Sequence, residues 1–259
     1  MTKDTPESRL QSLLKELQLS AIRQCYVEEA EQARKQSLTH EQYLLELLER
    51  EQEARRANRV MRLLRESRLP LEKRLDVFDR TRLPRKVDQQ LAVLLEGGFV
   101  DRRENVLAFG NPGSGKTHLL CAVAQELIHK GRRVHFTTCS LLVQQFLVAK
   151  RDLKLPQALK RFARYEVVLL DDIGYVQQSR QEMEVLFTFL ADRYERGSVM
   201  LTSNLPFSKW ETIFKDPMTT AAAIDRLVHH SVIVELNLPS YRLETSKKAR
   251  GERQRKEAS

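Results

Sequence analysis

Gly110-Asn-Pro-Gly-Ser-Gly-Lys-Thr117 is preceded by a short apolar run, residues 106–109. It is followed by a helical pattern over residues 117–130 that ends at Gly131. The eight residues satisfy G-x-x-x-x-G-K-[ST] at every fixed position, in the strand-then-helix setting the pattern requires. The chemistry is direct. Gly110, Gly113 and Gly115 let the backbone turn its N–H groups inward around an anion, and Asn111, Pro112 and Ser114 complete the loop. The helix opening near Lys116 aims the positive end of its dipole at the same point. Lys116 adds a full charge for the outer phosphates of a nucleotide, and the Thr117 hydroxyl is a ligand for Mg²⁺.

Further along comes Val-Val-Leu-Leu-Asp-Asp, residues 167–172. Four apolar residues followed by two acids describe a strand buried on both faces that delivers carboxylates at its C-terminal end. Ligands bind at that end in open α/β sheets. Asp171 is expected to hold Mg²⁺ through water, since that ion keeps much of its shell. Strand alternation points Asp172 the other way, where it would orient or deprotonate the attacking water. Asn204 ends the apolar stretch that begins at residue 199, and can reach a γ-phosphate or the water. Arg226 is suited to enter the nucleotide site of a neighbouring subunit and neutralise transition-state charge. The expected catalytic set is therefore Lys116, Asp172, Asn204 and Arg226.

From about residue 84 strands and helices alternate. Strand candidates cover residues 106–109, 134–138, 167–170, 199–202 and 232–236. Helical patterns cover 117–130, 140–165 (broken near Pro156) and 180–195. Such alternation implies right-handed βαβ units and a mostly parallel sheet, an α/β P-loop NTPase fold flanked by helices. The N-terminal part reads differently. Leu10, Leu13, Leu14 and Leu17 follow an amphipathic helical spacing, and a second helix is indicated around residues 21–35. Thr39 and Gln42 have the spacing of a capping box that opens a long helix ending near Pro70. There is no glycine before Gly97. Residues 1–68 are thus expected to be a small all-α domain, 69–83 a connector within an ATPase domain running to 243, and 244–259 a mobile basic tail.

Of the 259 residues, 44 are Lys or Arg and 35 are Asp or Glu, a net charge of +9. The surplus is concentrated in residues 50–90, which carry 13 basic and 7 acidic side chains, and residues 242–259, which carry 7 and 3. On one helix Arg55, Arg59 and Arg62 share a face, with Arg56 and Arg65 beside them, and such a face suits a phosphate backbone. No run approaches the ~18 apolar residues that span a bilayer. The N-terminus has no apolar secretory segment, so a cytoplasmic protein without membrane contact is expected. Cys25, Cys121 and Cys139 are read as reduced, buried thiols.

The motifs GNPGSGKTHL, LLDDIG, LTSNLPFSKW and AAAIDRLVHHSVIVELNLPSYR, in this order, resemble those of the AAA+ ATPases, and more narrowly the IstB/DnaC-like group. The resemblance covers residues 78–243 with high specificity. It implies that residues 110–117 bind ATP, that Asp171 is the metal-associated acid, and that Asp172 stands where a catalytic Glu usually stands. It also implies that Asn204 senses the γ-phosphate, that Arg226 is an arginine finger, and that Arg242 is a further sensing arginine. Two departures are expected to matter. Asp172 is one methylene shorter than Glu, which would slow hydrolysis. The chain also has about 20 residues after its last strand, which leaves no room for a substantial C-terminal lid. IstB-like proteins assemble on duplex DNA with ATP, deform it, and recruit and stimulate a transposase. The expected partners are therefore duplex DNA, a transposase and further copies of this chain, with Arg55, Arg56, Arg59 and Arg62 as DNA contacts. A DnaC-type helicase loader is the nearest rival. A small-molecule kinase, or a scaffold that binds ATP but scarcely hydrolyses it, are more distant ones.

Overall fold

Five short, apolar segments form one parallel sheet in the order β2-β3-β4-β1-β5. They are β1 (Asn105–Gly110), β2 (Val134–Thr138), β3 (Val167–Ile173), β4 (Ser198–Ser203) and β5 (Ser231–Leu236). The computed structural model describes residues 5–173, 179–210 and 217–241. Arg242 and the basic tail lie outside them. Each predicted strand is present, most of them a residue or more longer than the apolar run alone suggested.

The chain divides into two compact units, Met1–Arg62 and Leu63–Ser259. In the first, α1 (Pro6–Glu16), α2 (Ser20–Gln36) and the start of α3 (His40–Ser67) surround Leu14, Ile22 and Leu47. The capping box is formed: Gln42 N–H donates to Thr39 Oγ1 (3.2 Å) and Thr39 N–H to Gln42 Oε1 (2.9 Å). The start of α2 has no cap of its own, and buried Glu51 supplies one from α3. Its carboxylate accepts the N–H groups of Ala21 (2.8 Å) and Ile22 (3.2 Å). The long helix stops at Ser67, before Pro70, because Arg68 takes a left-handed conformation (φ 59°).

In the second unit, α4 (Arg85–Glu96), α5 (Gly98–Asp101) and α6 (Lys116–His129) precede β2. After β2 come α7 (Cys139–Arg151), α8 (Leu155–Phe162), α9 (Arg180–Arg193) and α10 (Pro217–Val228). The last four build a core with Leu107, Val168, Leu170 and Leu201 on one face of the sheet. α6 packs on the other face, with α4 beside it against β5. The helical pattern over 140–165 is interrupted near Pro156, as the sequence suggested. The break falls at exposed Leu153 (φ 57°), and Pro156 sits in the first turn of α8, where a missing N–H costs nothing. Cys121 and Cys139 are buried, but Cys25 is only partly so, which corrects the expectation of three buried thiols. Among the described residues no helix is long and apolar enough to cross a membrane.

Candidate nucleotide site

β4 runs between β1 and β3, so the C-terminal ends of three adjacent strands converge. β1 delivers the glycine-rich loop and Lys116, β3 delivers Asp171 and Asp172, and β4 delivers Thr202 and Asn204. Residues 112–117, Asp171, Asp172 and Asn204 line one cavity of about 480 Å³; Gly110, Asn111 and Thr202 do not line it. Two glycines are obligatory in the loop. A Cβ at Gly110 (φ 149°) would lie 2.1 Å from the Leu236 carbonyl oxygen, and one at Gly113 (φ 78°) 2.2 Å from Ser240 Oγ.

The Lys116 ammonium donates to the carbonyls of Gly110 (2.9 Å) and Asn111 (2.9 Å) and to Asn204 Oδ1 (2.6 Å). Burial pushes its pKa below the ordinary lysine range, and the charges of Asp172 and then Asp171 pull it back up. Lysine and Asn204, far apart in sequence, are therefore already in hydrogen-bond contact. Thr117 Oγ1 donates to Asp171 Oδ1 (2.7 Å), which sets two hard oxygen donors side by side, the ligand chemistry Mg²⁺ takes. The Ser114 hydroxyl is buried in the loop without a hydrogen-bond partner among the described residues. An orphaned polar group there fits a loop shaped for phosphate oxygens.

Strand alternation would have sent Asp172 away from Asp171. The structure corrects this. The β3–β4 register slips between Leu170 and Ile173, and Asp172 adopts φ 60°. The extra residue is a β-bulge, and it turns both carboxylates toward the same cavity. Asp171 is buried and Asp172 exposed.

The sequence reading missed two parts of the site. One is Thr202, whose hydroxyl donates to Asp171 Oδ1 (2.7 Å) and accepts the Asp172 N–H (2.9 Å). A hydroxyl residue directly after the apolar run 199–201 was the available signal. The other is the stretch expected to be a mere connector. Its Val77, Phe78 and Leu83 supply apolar lining of the cavity beside the phosphate loop, joined by Leu238 and Tyr241 from beyond β5. Phe78 meets the His118 ring edge-on at 5.1 Å, and the His118 ring lies 2.9 Å from the Arg74 carbonyl. Tyr241 N–H donates to the Gly113 carbonyl (3.0 Å), and the Arg82 guanidinium lies over the Tyr241 ring at 5.1 Å. The volume and the mixture of apolar and charged lining suit a molecule with a flat apolar end and a polyanionic end.

Arg226 does not line this cavity. It lines a second one, of about 300 Å³, at the N-terminal ends of β1, β4 and β5. Its guanidinium lies 4.9 Å over Phe187 and donates to the Ala222 carbonyl (3.0 Å). In the helical unit Arg55, Arg56, Arg59 and Arg62 are all exposed. Arg55, however, pairs with Glu51 (2.8 Å) and donates to the Gln18 carbonyl (2.9 Å), so it holds that unit together.

Comparison with known proteins agrees with this geometry. The sequence profile of the family described as IstB-like ATP binding protein matches residues 12–249. An insertion-sequence ATP-binding protein of Sinorhizobium fredii is 38% identical over 250 residues, covering 96% of this chain and 84% of that protein. One from Geobacillus stearothermophilus is 35% identical over 237 residues, covering 92% and 94%. Among solved structures, AMPPCP-bound DnaA from Aquifex aeolicus aligns with a TM-score of 0.56 at 19% identity, over 67% of this chain and 52% of that one. The DnaC helicase loader aligns with a TM-score of 0.55 at 17% identity, over 64% and 97%. At such identities these structures speak for the fold alone. Loop, acids and family together identify the chain as a member of the IstB-like ATP-binding proteins, P-loop ATPases of the AAA+ type.

Proposed function

We propose that this chain is the ATP-dependent helper of a transposase: it assembles on duplex DNA with ATP bound, deforms the duplex, and recruits and stimulates the transposase. The observation that carries this reading is the preassembled site, in which Lys116, Asn204, Asp171 and Asp172 face one cavity in a chain whose relatives are ATP-binding proteins of insertion sequences.

Each residue has a role in the proposal. The loop N–H groups and Lys116 bind the phosphates, with Lys116 exchanging its carbonyl and Asn204 contacts for phosphate oxygens. Val77, Phe78, Leu83 and Tyr241 enclose the base. Thr117 and Asp171 hold Mg²⁺, which when bound neutralises charge on the outer phosphates. Asp172, exposed in the cavity, accepts a proton from the attacking water, and Asn204 orients that water or the γ-phosphate. Arg226 sits far along the strands from its own phosphate loop, which suits a role in a neighbouring subunit's site. Arg56, Arg59 and Arg62 offer charge to DNA phosphates, contacts that carry little sequence preference.

The helicase-loader reading is favoured by the likeness to the DnaC helicase loader, a likeness of fold. Affinity capture separates the two. The full chain, with ATP, is offered an insertion-sequence transposase and a replicative helicase. Retention of the transposase alone is expected. Retention of the helicase alone would replace the proposal with the loader.

A further inference from the structure

We infer that Thr202 is a positioning residue for ATP hydrolysis: its single hydroxyl locks the metal-side acid and the water-side acid into one arrangement. The inference rests on the roles proposed for Asp171 and Asp172 and deepens them.

Thr202 is fully buried in β4, beside the bulge in β3. A hydroxyl has one proton to donate and lone pairs to accept with. Here the proton goes to Asp171 Oδ1 (2.7 Å), and a lone pair takes the Asp172 N–H (2.9 Å). The same Asp171 oxygen receives the Thr117 hydroxyl (2.7 Å). A continuous chain thus runs from Thr117 through Asp171 and Thr202 to the backbone of Asp172.

The two bonds do different work. A bulge leaves the N–H of its extra residue without a partner in the ladder. Thr202 supplies that partner, and so holds Asp172 at φ 60°, a conformation disfavoured for residues with a side chain. Just beyond, the ladder resumes at Ile173 and Ser203, where Ser203 Oγ donates to the Ile173 carbonyl (3.1 Å). The bond to Asp171 fixes which carboxylate oxygen faces Thr117. Without the Thr202 hydroxyl, β4 would still pack, because valine has the same branching, but the Asp171–Thr202–Asp172 bridge would be gone.

The test compares Thr202→Val and Thr202→Ser with wild type, and uses Asp172→Asn as a control. Three quantities are read: affinity for a fluorescent ATP analogue, kcat against KM for ATP hydrolysis, and hydrogen exchange of the Asp172 amide in nucleotide-free protein. Thr202→Val is expected to bind nucleotide within threefold of wild type, to lose at least tenfold in kcat with KM little changed, and to exchange the Asp172 amide at least tenfold faster. Thr202→Ser, which keeps the hydroxyl, is expected to stay within threefold of wild type in all three. Wild-type kcat in Thr202→Val would overturn the inference, as would a serine variant as impaired as the valine variant. Loss of nucleotide binding in step with kcat would also overturn it, by reducing Thr202 to a purely structural part. If Asp172→Asn itself turns over like wild type, the role given to Asp172 fails rather than that of Thr202.

Discussion

Asp172 occupies a backbone conformation that costs most L-residues about 1–2 kcal/mol, with Asp and Asn the best-tolerated exceptions after glycine. The longer Glu expected at this position has no such tolerance. The bulge therefore explains the shorter acid: it carries Asp172 into the cavity by backbone geometry instead of side-chain length. Asn shares the left-handed tolerance but accepts no proton from water. Asp172→Asn is accordingly predicted to fold and bind ATP like wild type. Its single-turnover hydrolysis should be ~100-fold slower or worse, the usual contribution of a general base. Rates equal to wild type would remove the base. At Cys121 the residue scale gives a negative answer: burial pushes its thiol up to about 12, so it is inert at neutral pH despite lying one turn from Thr117.

Elements explain why some of the site was readable and some was not. The loop from 110 to 117 was legible because its glycines, lysine and threonine are fixed by local geometry, and the buried strand before Asp171 was legible because parallel strands are apolar throughout. The bulge was not legible, since it arises from the β3–β4 register, a relation between segments remote in sequence. Nor was the cavity wall built from Val77, Phe78 and Leu83, which have no periodicity and acquire meaning only when folded against the loop. β2 carries a further feature invisible in sequence. Its His135 is buried, stacked on Tyr165 at 4.7 Å and edge-on to Phe162 at 5.2 Å. Desolvation by burial, helped by the nearby Arg68 charge, pushes its pKa down to about 4. A depressed histidine pKa means the unfolded chain takes up a proton that the folded chain refuses. Its stabilising contribution is thus complete above pH ~6.5 and is lost as the pH falls toward 4. His135→Phe, which keeps the aromatic packing, should therefore lose less thermal stability than wild type between pH 7 and 5. Parallel declines in Tm for the two proteins would contradict this.

At the scale of the whole molecule, the chain joins a helical unit that carries the exposed Arg56, Arg59 and Arg62 to a nucleotide site whose proposed arginine finger lies away from its own phosphate loop. Arg226 lies at the N-terminal ends of the strands and the phosphate loop at their C-terminal ends. On the proposed function, one copy is then half a catalytic device, and two copies in contact would complete it. The proposed assembly would also multiply the exposed Arg56, Arg59 and Arg62 along a duplex, each neutralised phosphate releasing about 0.9 of a counterion. On that proposal ATP and DNA would favour the same assembled state, as linkage requires. The most direct test is sedimentation velocity of the full chain with a duplex long enough for several copies, in ATP, in ADP, and with Lys116→Ala in ATP. Several chains per duplex are predicted for wild type in ATP, and no such species in ADP or with Lys116→Ala. One chain per duplex at saturating ATP, or wild-type assembly by Lys116→Ala, would contradict the account.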